Sequence, residues 1–128
     1  MGKRVVTAEK APKAVGPYSH AVVAGDFIYT SGQIGCVPGS NCIAVGGIRE
    51  QAKQVFENLR AVLEASGADF SNVIKATVFL CDMNDFTAVN EVYASFFDGE
   101  FPARSCVQVA RLPRDVDVEI EMVAYIGQ

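Results

Sequence analysis

No apolar run in this 128-residue chain approaches the length of a membrane span, which excludes a transmembrane helix. Histidine is nearly absent. His20 stands alone, with no cysteine or carboxylate at ligand spacing, so neither a metal site nor a histidine-based catalytic pair is supported. No cluster of Lys and Arg stands out against a net charge of −4, which argues against general binding to a phosphate backbone; nucleic acid is not an expected partner. The four cysteines (Cys36, Cys42, Cys81, Cys106) form no CxxC pair, and two lie on or beside expected strands, so reduced, mostly buried thiols are the reading. Repeats, low-complexity segments and linkers are missing, and one domain over residues 1–128 is expected. The start, Met1 to Val6, lacks the apolar stretch of a signal peptide, and a cytoplasmic location is expected.

What is present suits a packed core: 50% of residues are hydrophobic and 20% charged. Val5 and Val6 read as a short strand, followed by a loop over residues 8–16. Ala21–Ala24 and residues 27–31 flank Gly25-Asp26 and predict a hairpin. Residues 35–47 read as a long loop, marked by Pro38-Gly39-Ser40-Asn41 and Gly46-Gly47. Ile48–Ala65 is the clearest helix: Ala52, Val55, Phe56, Leu59, Val62 and Leu63 recur at helical spacing, and Gly67 fits a stop. Val73–Leu80 reads as a strand apolar on both faces. Asp82 or Asn84 would cap a second helix carrying Phe86, Val89, Tyr93 and Phe97. Residues 104–110 and 116–126 read as the last two strands. In the final one Val116, Val118, Ile120, Met122 and Ala124 share a face opposite Asp117, Glu119 and Glu121.

Two helices among strands predict an α+β domain with both helices on one side of a mixed sheet. The two-sided apolar strand over residues 73–81 then asks for a second cover, most simply another copy of the chain.

The most informative stretch runs from Pro102-Ala103-Arg104-Ser105-Cys106 through Leu112-Pro113 to Val118-Glu119-Ile120-Glu121. It sets one arginine and one glutamate on what read as neighbouring strands. A guanidinium fork clamps a carboxylate through two charge-assisted hydrogen bonds, and a nearby carboxylate can position or deprotonate water. The pair points to a small anionic substrate and a water-dependent reaction.

This stretch, taken in order with Gly16-Pro17-Tyr18-Ser19, Thr30-Ser31-Gly32-Gln33-Ile34, Gly46-Gly47-Ile48 and Asn84-Asp85-Phe86 with Val89-Asn90, resembles the RidA (YjgF/YER057c/UK114) family along nearly the whole chain. The resemblance implies a chorismate-mutase-like single domain with a mixed, mainly antiparallel six-stranded sheet and two helices on one face. It further implies a homotrimer with sites in clefts between subunits. The implied activity is hydrolysis of reactive 2-imino acids such as 2-iminobutanoate and 2-iminopropanoate, and of their enamine tautomers, to 2-oxo acids and ammonia, without cofactor or metal. A protonated imine is already electrophilic, so an anchored carboxylate and a positioned water suffice. The chain departs from its relatives at His20, where many carry glutamine, and in the two cysteines of the loop.

The resemblance makes Arg104 the carboxylate clamp, where an isolated arginine would read as a surface ion pair. It makes Glu119 the residue that orients or activates water, although Asp117, Glu119 and Glu121 alone would read as a solvated strand face. Tyr18 would wall a neighbouring subunit's site, or pack at the interface, or do both. Cys106 would line the site through its backbone and not act as a nucleophile. Ser31 and Gly32 would let backbone or hydroxyl approach the ligand, or merely end a strand. Asn90 would reach the cleft or remain a helix-surface amide. The rival readings are a non-catalytic 2-oxo acid-binding trimer and an RNA-acting translation inhibitor or endoribonuclease.

Overall fold

The structure, a computed structural model, describes residues 2–127; Met1 and Gln128, the ends of the expected 1–128 domain, lie outside the described residues. Short alternating runs form β1 (Lys3–Val6), β2 (Ala21–Ala24) and β3 (Phe27–Thr30), with β2 and β3 joined through Gly25-Asp26. Next come β4 (Gln33–Ile34), β5 (Cys36–Val37) and β6 (Cys42–Ile43), then helix α1 (Ile48–Ala65) and strand β7 (Val73–Leu80). Helix α2 (Phe86–Ser95), strand β8 (Ala103–Gln108) and strand β9 (Val118–Tyr125) complete the order.

The main sheet runs β1-β2-β3-β9-β7-β8. Only β7 and β8 are parallel, because α2 crosses over between them. The expected six strand positions are all filled, and β4 adds a seventh segment by sharing an edge of β9 with β3. β3 pairs with Val123 to Tyr125, and β4 with Glu119 and Ile120. Between them the chain steps out of line at Ser31-Gly32, and the Met122 N–H donates instead to Thr30 Oγ1 at 3.0 Å.

α1 has the boundaries its periodicity predicts, and all six of its apolar positions are fully buried. Gly67 turns the chain at φ 91°, and the Ala68 N–H closes the helix end on the Leu63 carbonyl at 2.9 Å. α1 packs on β3, β4 and β9 and against α2, so both helices cover one face. Val118, Ile120, Met122 and Ala124 meet them from β9, with Val116 also buried. The opposite face leaves Val5, Phe27, Tyr29 and Val107 exposed. Among the described residues no helix is long and apolar enough to cross a membrane.

Three expectations change in detail. The loop over residues 35–47 contains the β5–β6 hairpin, and of the four cysteines, all free, only Cys36 is buried where most were expected to be: Cys42 sits exposed at the hairpin and Cys81 and Cys106 are half-buried. Asp82 does cap, but it caps a 3₁₀ turn at Met83–Asp85 by accepting the Asn84 N–H at 2.9 Å, and α2 starts at Phe86 without a side-chain cap. The last strand starts later, at Val118, because Arg114 and Asp115, both at φ 56°, turn the chain before it.

Candidate active site

Register decides which side of the sheet each candidate occupies. β8 aligns Arg104 with Ala76 and Cys106 with Val78, two fully buried residues beneath the helices, so both candidates face α2. Arg104 Nη1 donates to Asn90 Oδ1 at 2.7 Å, which settles Asn90 as a residue that reaches inward. The guanidinium carbon lies 4.8 Å from the centre of the Tyr93 ring and 5.5 Å from that of Phe86. Asn90, Tyr93, Ala94, Phe101, Pro102 and Arg104 line a cleft of about 260 Å³. Among the described residues Arg104 has no carboxylate partner, so its charge faces this cleft uncompensated. Burial raises the Cys106 thiol above its usual range and Arg104 only partly opposes it, so the group rests as a thiol and not as an activated nucleophile.

Glu119 aligns with Ile34 on one side and Phe79 on the other, and therefore faces away from the helices. Its carboxylate lies against the Gly32 backbone: a methyl group at Gly32 would collide with Oε2 and sit 2.9 Å from Cδ. Burial, with a further push from the neighbouring charge of Glu121, holds its carboxyl above the ordinary carboxylate range. Ser31 ties this bend to the Tyr18 loop, because its Oγ donates to the Ser19 carbonyl at 2.6 Å and its N–H to the His20 carbonyl at 2.9 Å. Tyr18, Gly32, Gln33, Ile34, Cys36 and Arg114 are among the residues lining a cleft of about 280 Å³. His20 is structural. Its Nδ1 accepts the Ala8 N–H at 2.8 Å, leaving Nε2 as the donor to the Pro12 carbonyl at 2.7 Å.

The sequence-level candidates thus fall into two groups. Arg104, Asn90 and Cys106 gather under α2; Tyr18, Ser31, Gly32 and Glu119 gather at the outward bend between β3 and β4. Arg104 and Glu119 are not on neighbouring strands, since β7 lies between β8 and β9, and they project to opposite faces. Accordingly, Arg104 is absent from the charges that act on Glu119.

Two supporting residues escaped the sequence reading. Asn58 Nδ2 donates to the carbonyls of Ile34 (3.0 Å) and Cys36 (2.8 Å), fastening β4 and β5 to α1. Gln51 exchanges a pair of hydrogen bonds with Asp117 at 3.0 and 2.9 Å, just before β9. The two amides stand seven residues apart on α1, a spacing that puts them on one flank of the helix and was the available signal. Among the described residues no cluster of three or more His, Cys, Asp or Glu side chains is placed to hold a metal.

The family described as Endoribonuclease L-PSP matches residues 8–126. The mouse 2-iminobutanoate/2-iminopropanoate deaminase is 51% identical over 125 residues, covering 98% of this chain and 93% of its own. A RutC family protein of Pyrococcus abyssi is 50% identical, covering 98% of both chains. The crystal structure of E. coli TdcF with bound serine superposes with a TM-score of 0.93 at 43% identity, covering 97% of this chain and 99% of its own. With the family matched over nearly all of the sequence and the fold matched by solved relatives, the chain belongs to the Endoribonuclease L-PSP family, the RidA family of its sequence motifs.

Proposed function

We propose that this chain, one domain over residues 1–128, is a cytoplasmic deaminase that hydrolyses small 2-imino acids such as 2-iminobutanoate and 2-iminopropanoate to 2-oxo acids and ammonia. The observation that carries the reading is Arg104, a guanidinium bonded to an amide oxygen and not to a carboxylate, with donors and charge left for an anionic ligand. The mouse relative's name supports the substrate class, and the serine bound to the E. coli relative supports a site for small carboxylate-bearing molecules.

In this reading Arg104 grips the substrate carboxylate. Glu119 orients a water and takes its proton as the oxygen bonds to the iminium carbon and the C=N electron pair moves to nitrogen. The resulting carbinolamine passes a proton to its amine, the C–N bond breaks, ammonia leaves and the C=O bond forms. An enamine enters the same route after protonation at carbon. Cys106 and Asn90 line the Arg104 side; Tyr18, Ser31 and Gly32 line the Glu119 side. Because these groups face opposite ways in one chain, the complete site needs Arg104 from one copy and Glu119 from another, which fits a homotrimer assembled through the exposed apolar face.

The test generates 2-iminobutanoate with an amino-acid oxidase and traps it with semicarbazide. Wild type should slow semicarbazone formation, and folded Arg104→Ala should not. Absence of any effect by folded wild type overturns the enzyme reading, and saturable 2-oxobutanoate binding would then favour a metabolite-binding protein. The family description favours one further reading, RNA cleavage. Salt-dependent RNA binding with cleavage by wild type would support it, against the net charge of −4.

A further inference from the structure

Phe86, Asn90 and Tyr93 stand at i, i+4 and i+7 on α2, so they share one helix face, and all three meet the same guanidinium. Asn90 takes an in-plane hydrogen from Nη1 at 2.7 Å, while the ring centres of Tyr93 and Phe86 lie 4.8 and 5.5 Å from the guanidinium carbon. We propose that Phe86 and Tyr93 are positioning residues: their rings, with the Asn90 amide, cage the Arg104 guanidinium and hold it pre-set to receive a carboxylate.

Ring faces attract a guanidinium without using its hydrogen-bonding edge. The Nε and Nη2 hydrogens therefore keep no protein acceptor among the described residues and remain for the ligand. Phe86 is not explained by packing alone, whereas Tyr93 also packs on Phe56 and Phe97, with ring centres 5.6 and 4.9 Å away. Phe86 is 38% exposed on a helix surface, where a polar residue would be ordinary. Tyr93 is 5% exposed, and its hydroxyl is buried with no hydrogen-bond partner among the described residues, so the ring and not the hydroxyl is what the position uses. An arginine held in one orientation loses little freedom when the ligand arrives, and the benefit appears in binding before it appears in turnover.

The inference rests on the deaminase reading only for the identity of the ligand, and the test separates the two. Phe86→Leu, Tyr93→Leu and Tyr93→Phe are compared in the full chain by 2-iminobutanoate hydrolysis and by the ¹⁵N order parameter of the Arg104 Nε–H. Phe86→Leu should raise KM roughly five- to tenfold with kcat changed less than about twofold, and should lower the order parameter. Tyr93→Phe, which keeps the ring, should hold the order parameter at its wild-type value, while Tyr93→Leu follows Phe86→Leu in lowering it. A folded Phe86→Leu protein whose order parameter is unmoved overturns the cage, as does an active one whose KM is unmoved, or a Tyr93→Phe protein whose order parameter falls as far as that of Tyr93→Leu. If wild type hydrolyses no imine but Phe86→Leu still loosens Arg104, the deaminase reading fails and the cage stands.

Discussion

Gly32→Ala isolates the contact between the β3–β4 bend and Glu119. Gly32 lies outside the left-handed region, so alanine adds no backbone strain. The new methyl would strike Glu119 Oε2 and lie within 3.0 Å of Cγ and Cδ. What yields is the free end of a flexible side chain, so stability should change by less than about 1 kcal/mol. The carboxylate, however, has to swing by more than about 1 Å, and a displacement of that size can cost about 10²-fold when it carries the reacting water. We expect kcat in the imine-trapping assay to fall about 10²-fold, with the circular dichroism spectrum and urea midpoint preserved. If the loss runs through Glu119, the double variant with Glu119→Gln is no worse than Glu119→Gln alone. A folded Gly32→Ala enzyme with wild-type kcat, or a double variant whose losses multiply, would refute the assignment of Glu119 to the water.

Burial and the charge of Glu121 raise the Glu119 carboxyl in the single chain, and Glu121→Gln, by removing the like charge, should move the acid limb of kcat/KM to lower pH. The same shift has a stability sign. The native state binds this proton more tightly than the unfolded state, so the penalty is absent in acid and develops as pH rises through the folded pKa; Glu119→Gln should therefore be more stable than wild type at neutral pH, with the difference vanishing in acid urea titrations. Asn58→Ala removes three hydrogen bonds, one of them accepted from Gln54, and strands the Ile34 and Cys36 carbonyls, which should cost about 2–4 kcal/mol by chemical denaturation; an unchanged midpoint would mean that solvent replaces the amide.

Local signals carried most of the fold. α1 could be read to the residue, because its apolar spacing is helical throughout and Gly67 supplies the left-handed stop. The hairpin at Gly25-Asp26 and the buried face of β9 were legible for the same reason, since each depends on short-range periodicity or turn chemistry. Strand order was not. The last two strands follow one another in sequence and invite pairing, but β7 intervenes, and only long-range register reveals that Arg104 and Glu119 turn opposite ways. Motif resemblance named these candidates and implied clefts between subunits, but it did not show which face of the sheet each one occupies. Asn58 and Gln51 were hidden by type, because amides on an amphipathic helix read as solvent-facing until their acceptors are known.

The division of candidate residues between two faces has a genetic consequence. A lesion on the Arg104 side leaves the Glu119 side of the same chain whole, and the reverse also holds. In the assembly proposed above, two inactive variants mixed within one oligomer regenerate some complete sites, each defect being covered by its neighbour. Alleles that fail alone would then complement in the same cell, while a single doubly damaged chain poisons two sites at once. In such an assembly the outward positions of β9 would be constrained from two directions, by chemistry at one site and by fit to the next copy.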